Sequence, residues 1–184
     1  MSRLGKPGWP TRTLLLVAVA AVCFGATESR VPRREILGVE GSINNKFRSN
    51  VADPYNLLGD ARGTYLEYYG AVFTFEVELI YVSAPSPFKP TISPAEIQMI
   101  HDRKQKKMAD LRQAMYSQMA SAATMLDSLP PNQQISMEAI LWYYSWENSR
   151  DLPKRLFMTV EKDKLLEATA KHANPASVIE EQER

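Results

Sequence analysis

Glu76 and Glu78 stand two residues apart in a segment of alternating character. That spacing puts both carboxylates on one face of a β-strand, roughly 7 Å from each other. At such a separation two carboxylates could divide acid and base duties in a hydrolytic reaction, or hold a cation. His101, beside Asp102 near the start of a long amphipathic segment, is the other side chain that could serve as base or ligand, since His172 falls close to the C-terminus. Two observations weigh against chemistry. Alternation alone produces carboxylate pairs on any solvated sheet face, and Arg103, Lys104, Lys106 and Lys107 around His101 read as a wet helical face. No Gly-x-Ser-x-Gly elbow, His-Glu-x-x-His, phosphate-cradling glycine loop or Cys-x-x-Cys is present. A hydrolase-type enzyme using Glu76, Glu78 or His101 is therefore the alternative, and the chain reads as non-enzymatic with no cofactor expected.

Methionines form a second constellation. Met99, Met108, Met115, Met119 and Met125 recur along the long segment, with Met115 and Met119 an i, i+4 pair. Thioethers are soft ligands for Cu(I), which makes soft-metal binding a second alternative. Because no His or Cys joins the set, the methionines read instead as adaptable filler of a helix–sheet core or as a docking groove, and no metal site is expected.

The aromatic residues carry the most weight. In a strand read from Ile135 to Trp146, Trp142, Tyr144 and Trp146 share one face while Ile135, Met137, Ala139, Leu141 and Tyr143 share the other. Such a strand needs apolar cover on both sides. Residues 39–58 offer Ile43, Phe47, Val51, Tyr55, Leu57 and Leu58 as a lid. An aromatic row left uncovered is a platform for a protein partner or for sugar rings. Trp142, Tyr144 and Trp146, together with Met115 and Met119 on the helix, are thus the expected partner-binding residues, for another protein or for a second copy of the chain.

The elements that must position these groups follow from periodicity. Phe73, Phe75, Val77, Leu79 and Tyr81 alternate with Thr74, Glu76 and Glu78, giving a half-buried strand over 72–82. A strand-like Thr64–Tyr69 precedes it, with Gly70 as the break. Pro85, Pro87 and Pro90 then force an extended crossing. Ser93-Pro94-Ala95-Glu96 has the N-cap hydroxyl, N1 proline and N3 glutamate of a helix start. Apolar residues recur from Ile97 to Leu129, three to four apart except where Lys104 interrupts, until Pro130-Pro131 stops them. This predicts one helix of about 35 residues, some 50 Å long, which overhangs a strand of roughly 17–20 Å. The strand at 135–146 should pair with a short one at 155–160, and Lys162–Lys171 has helical composition. The order predicts an α+β fold: a small, mainly antiparallel sheet with one long amphipathic helix packed on one face, in two layers.

The N-terminus supplies an address. Arg3, Lys6 and Arg12 precede an apolar run, Leu14 to Phe24, then Gly25 and Ala26. The run is too short to span a bilayer but suits a cleaved export signal over residues 1–26. Localisation is then periplasmic or extracellular, with membrane contact only through that segment unless it is retained, or lipidated at Cys23. Its loss takes three of 22 basic residues and none of the 21 acidic, leaving the rest slightly acidic and without a basic stripe for nucleic acid. Cys23 is the single cysteine, so no disulfide is available to residues 27–184. Residues 27–38 read as a flexible leader, 39–170 as one domain and 171–184 as a disordered tail.

Overall fold

The computed structural model describes residues 31–49, 55–82, 85, 87–88 and 91–184. The export segment, Cys23 and Val51 lie outside them. Helix α1 spans Arg33–Arg48. Strands β1 (Asn56–Leu57), β2 (Arg62–Leu66) and β3 (Gly70–Glu78) follow. Helix α2 is Pro94–Met125, β4 is Gln134–Leu141 and β5 is Arg155–Glu161. Helix α3 (Lys162–Ala170), a 3₁₀ turn at Pro175–Ser177 and β6 (Glu180–Glu183) complete the chain.

The six strands form one mixed sheet in the order β1-β3-β4-β5-β6, with β2 pairing farther along the edge of β3 that β1 also uses. All pairings are antiparallel except β3 with β4, which run parallel and are joined by α2. The fold is α+β, with the long helix against one sheet face. That face carries Ala71, Phe73, Phe75 and Val77 of β3, Ile135, Met137, Ala139 and Leu141 of β4, and Leu156, Met158 and Val160 of β5, all buried. Leu111, Met115, Met119, Ala122 and Leu126 pack down on it. Each fully buried side chain of this size contributes about 1.5–3 kcal/mol.

The start of α2 follows its sequence signature: Ser93 Oγ accepts from the Glu96 N–H at 3.2 Å, behind Pro94. Three expectations are corrected. Residues 33–38 are not a flexible leader but the first turns of α1, because Ile36, Val39, Ile43 and Phe47 make a helical stripe that is buried on the core. The lid over 39–58 is thus α1 plus β1. Phe47 meets Phe75 and Tyr55 with ring centroids 4.7 and 5.3 Å apart, so the lid covers the β3 side of the helix face and leaves Trp142 exposed.

The acidic C-terminus is likewise not a disordered tail throughout. Glu180–Glu183 pairs with β5, and Arg112 and Tyr116 of α2 reach Glu181 at 2.8 and 2.6 Å while Arg112 also pairs with Glu183. Opposite charge from the helix offsets the repulsion within the acidic strand. Finally, the strand expected to run to Trp146 ends at Leu141.

At the opposite edge of the sheet, α1 satisfies backbone groups that β2 leaves unpaired. Glu40 accepts from the Gly63 N–H at 2.7 Å, Arg33 donates to the Gly63 carbonyl at 2.8 Å, and Asn44 accepts from the Ala61 N–H at 2.9 Å. A strand edge covered in this way is a poor template for unwanted pairing. The close approach needs Gly63, where a Cβ would lie 2.5 Å from the Phe73 ring.

Candidate functional site

Because β3 and β4 are parallel, the chain leaves both at the same end of the sheet. The first turns of α2 stand at that end too. Sheets with parallel strands bind ligands outside these carboxyl ends in many folds, and two buried polar atoms that lack a hydrogen-bond partner among the described residues, Glu78 Oε1 and Trp146 Nε1, lie there.

The first is Glu78. Asn56 is its partner in the β1–β3 register, and Trp142 N–H donates to Val77 O at 3.0 Å, extending the β3–β4 ladder one step. Asn56, Glu78 and Trp142 therefore form a row across the sheet on the face turned away from α2. Glu78 is 1 % exposed. Its Oε2 accepts from Asn56 Nδ2 at 2.8 Å, while Oε1 is buried without a hydrogen-bond partner. A buried carboxylate usually has a cation or several donors; this one has a single neutral amide.

Beyond Leu141 the backbone turns at residues 144–147, closed by Glu147 N–H to Tyr144 O at 3.0 Å. The turn still arranges the three aromatic residues in a row, though not by strand alternation. Trp142 meets Tyr144 edge to face at 4.3 Å, and Tyr144 stacks on Trp146 at 5.5 Å with 16° between planes. Trp142 is 41 % exposed and nearby Tyr81 is 73 % exposed. Tyr144 and Trp146 are half-buried against a small apolar cluster of Ile80, Val82 and Ile100, separate from the main core. Trp146 Nε1 is a buried donor without a partner. Burial, then the charge of Glu78, then Tyr81 and Glu147, hold the Tyr144 hydroxyl above its ordinary pKa.

Helix α2 anchors the turn. Lys104 Nζ meets Glu147 Oε2 at 2.5 Å, with side-chain exposures of 0 % and 1 %. Glu147 Oε1 accepts from Tyr144 N–H at 3.2 Å, and Lys104 Nζ stands 5.0 Å from the centre of the Tyr143 ring. Tyr143 donates to Pro153 O at 2.8 Å, and burial followed by the charge of Glu147 raises its pKa. His101 Nδ1 lies 2.9 Å from the Asn148 carbonyl. The overhang expected of the 32-residue helix is therefore clothed by the loop after β4. The Lys104 that interrupts its apolar stripe is the most buried side chain of that stretch.

The candidate residues separate accordingly. Glu76 and Glu78 share a face but not an environment, for Glu76 is exposed beside a shallow cleft lined by Asp60, Arg62, Thr74 and Ile140. Among the described residues no hydrogen bond joins His101 to either glutamate. His101 serves as a contact between helix and loop. Met115 and Met119 are both 0 % exposed, facing the sheet, so neither is available to a partner; the helix needs its whole apolar stripe to cover β3 and β4. Trp142, Tyr144 and Trp146 do assemble. Asn56, Tyr81, Lys104 and Glu147 complete the site and were not singled out from sequence; only the lysine left a signal, as a charged residue in an apolar stripe. No group of three or more His, Cys, Asp or Glu side chains placed to hold a metal occurs among the described residues. No described helix is long and apolar enough to cross a membrane. Comparison with protein-family models, curated proteins and solved structures finds no match.

Proposed function

We propose that this is a non-enzymatic binding protein, exported on residues 1–26, that engages another protein through the aromatic end of its sheet. The observation that carries the reading is the exposed pair Trp142 and Tyr81 beside the half-buried rings of Tyr144 and Trp146, on a turn fixed by the buried Lys104–Glu147 pair. Large amphipathic rings on a rigid support are what binding hot spots consist of, because little conformational entropy is lost when they are covered. The long helix, with its methionines in the core, contributes support and no docking surface.

Site-specific photo-crosslinking in the producing cell tests this. A benzophenone side chain at position 142 or 81 should give one discrete protein adduct. The same group at Leu66, 47 % exposed at the other end of β3, should give none. Absence of adducts from 142 and 81, or equal adducts from Leu66, would defeat the proposal. Export is tested separately by fusing residues 1–26 to a reporter that is active only outside the cytosol, and activity is expected.

A further inference from the structure

We infer that the aromatic end recognises a basic side chain, a lysine or arginine of the partner protein, with Glu78 as its counter-ion and the rings of Trp142, Tyr144 and Tyr81 around it. This deepens the proposed function and rests on it. Three observations converge. Glu78 Oε1 is a buried acceptor with no donor among the described residues, where the one hydrogen bond to the carboxylate comes from the neutral Asn56. Of the buried cations on α2, Lys104 is committed to Glu147 and Lys107 lies over the Tyr55 ring, and among the described residues neither forms an ion pair with Glu78. Trp142 is the neighbour of Glu78 in the row across the sheet and Tyr144 packs on it, and the faces of Trp and Tyr attract cations most strongly where water is excluded.

The second orphan fits the same ligand. Trp146 Nε1 is a donor, so it asks for an acceptor, and a peptide that brings a cation also brings backbone carbonyls. An anionic or purely apolar ligand would leave the Glu78 carboxylate unanswered, and an apolar one would leave both orphans so. With Glu78 closed off at 1 % exposure, side chains around it must move for a cation to reach it, and Trp142, its neighbour in the sheet row and 41 % exposed, is the ring placed to report that movement. Binding is then accompanied by a change around Trp142.

The test uses the intact chain with two capped tripeptides, acetyl-Gly-Lys-Gly-amide and its norleucine counterpart, which has an uncharged, apolar side chain of similar length. Indole N–H resonances of Trp142 and Trp146 are followed by NMR. The lysine peptide should shift both signals saturably, the norleucine peptide should not, and Glu78→Gln should weaken lysine binding at least tenfold. Tyr81→Ala, which leaves the carboxylate in place at an exposed position, should weaken it severalfold and guards against a failure of Glu78→Gln to fold. Equal binding of the two peptides, or no effect of Glu78→Gln in a folded protein, overturns the cation and leaves the aromatic docking surface standing. No shift with either peptide while position 142 still crosslinks also overturns the cation alone. Loss of the crosslink as well removes both.

Discussion

Two buried charges on opposite ends of the sheet are treated differently. Lys162, 7 % exposed at the start of α3, donates to the carbonyls of Leu126, Leu129 and Asp127 at 2.7, 2.8 and 3.3 Å. Its three donors meet three acceptors at the C-terminal end of α2, where carbonyls lack helical partners and the helix dipole favours positive charge. On the other face of the same end of the sheet, Tyr69, Ser136 and Thr159 pass hydrogen bonds across the strands at 2.8 Å each, and the neutral Gln133 Oε1 is, among the described residues, the buried side-chain atom left without a partner at this end. Glu78, at the other end, has one donor for two oxygens. A satisfied buried charge holds a fold together. An unsatisfied one costs stability unless a ligand answers it.

The comparison breaks most visibly through Lys104. Lys104→Ala removes one partner of a pair that is fully enclosed and leaves Glu147 buried with only the Tyr144 N–H, so a loss of about 3–5 kcal/mol is expected. Replacing both, Lys104→Met with Glu147→Leu, should recover most of it, because the pair's charges are then absent together. Urea unfolding midpoints report both numbers. If Lys104→Ala unfolds at the wild-type midpoint, the turn bearing the aromatic residues is not anchored as described.

The next effect is smaller and concerns the two charges themselves. Lys162→Met leaves three carbonyls without their donor and should cost about 1–3 kcal/mol. Glu78→Gln exchanges an unanswered charge for a neutral amide of the same shape and should leave the midpoint unchanged or raised. A Glu78→Gln protein destabilised as much as Lys162→Met would show that the carboxylate is a structural group and that the contrast between the two ends is mistaken.

Much of the scaffold is legible in the sequence, and the reasons are local. The alternation from Phe73 to Val77 and the Ser93–Glu96 cap act over a few residues, and the corresponding elements form there; but β3 ends at Glu78, short of the strand expected over 72–82, and α2 ends at Met125, short of the stop expected at Pro130-Pro131. Helix α1 is written just as locally in Ile36, Val39, Ile43 and Phe47, but the charged run Arg33-Arg34-Glu35 and the preceding Pro32 disguise its beginning. The end of β4 is hidden for another reason. Trp142, Tyr143 and Tyr144 have the propensity of a strand, yet the chain turns because Glu147 is held by Lys104, 43 residues earlier. No local pattern encodes that pairing. The site inherits the difficulty: its aromatic residues are visible by type, whereas the burial of Glu78 and its pairing with Asn56 depend on tertiary structure that no local pattern encodes.

The same dependence on distant partners governs the C-terminal strand, where the smallest effect is expected. Arg112 and Tyr116 tie β6 to α2 through Glu181 and Glu183. Burial first, then the hydrogen bond to Glu181 and its charge, push the Tyr116 hydroxyl from 10.0 up to about 12, against a lowering by Arg112. In the unfolded chain Tyr116 loses its proton near 10, so this contribution to stability is complete below that pH and fades as pH rises towards 12. Tyr116→Phe should therefore remove part of the alkaline fall in the urea midpoint between those values. The size is modest because Tyr116 is only partly buried and solvent screens the charge beside it. Difference absorbance near 295 nm should show the Tyr116 phenolate, identified as the signal that Tyr116→Phe removes, appearing well above pH 10. Appearance of that signal near pH 10 would mean that the acidic strand is not held by α2, and that the six-stranded sheet loses its last member in solution.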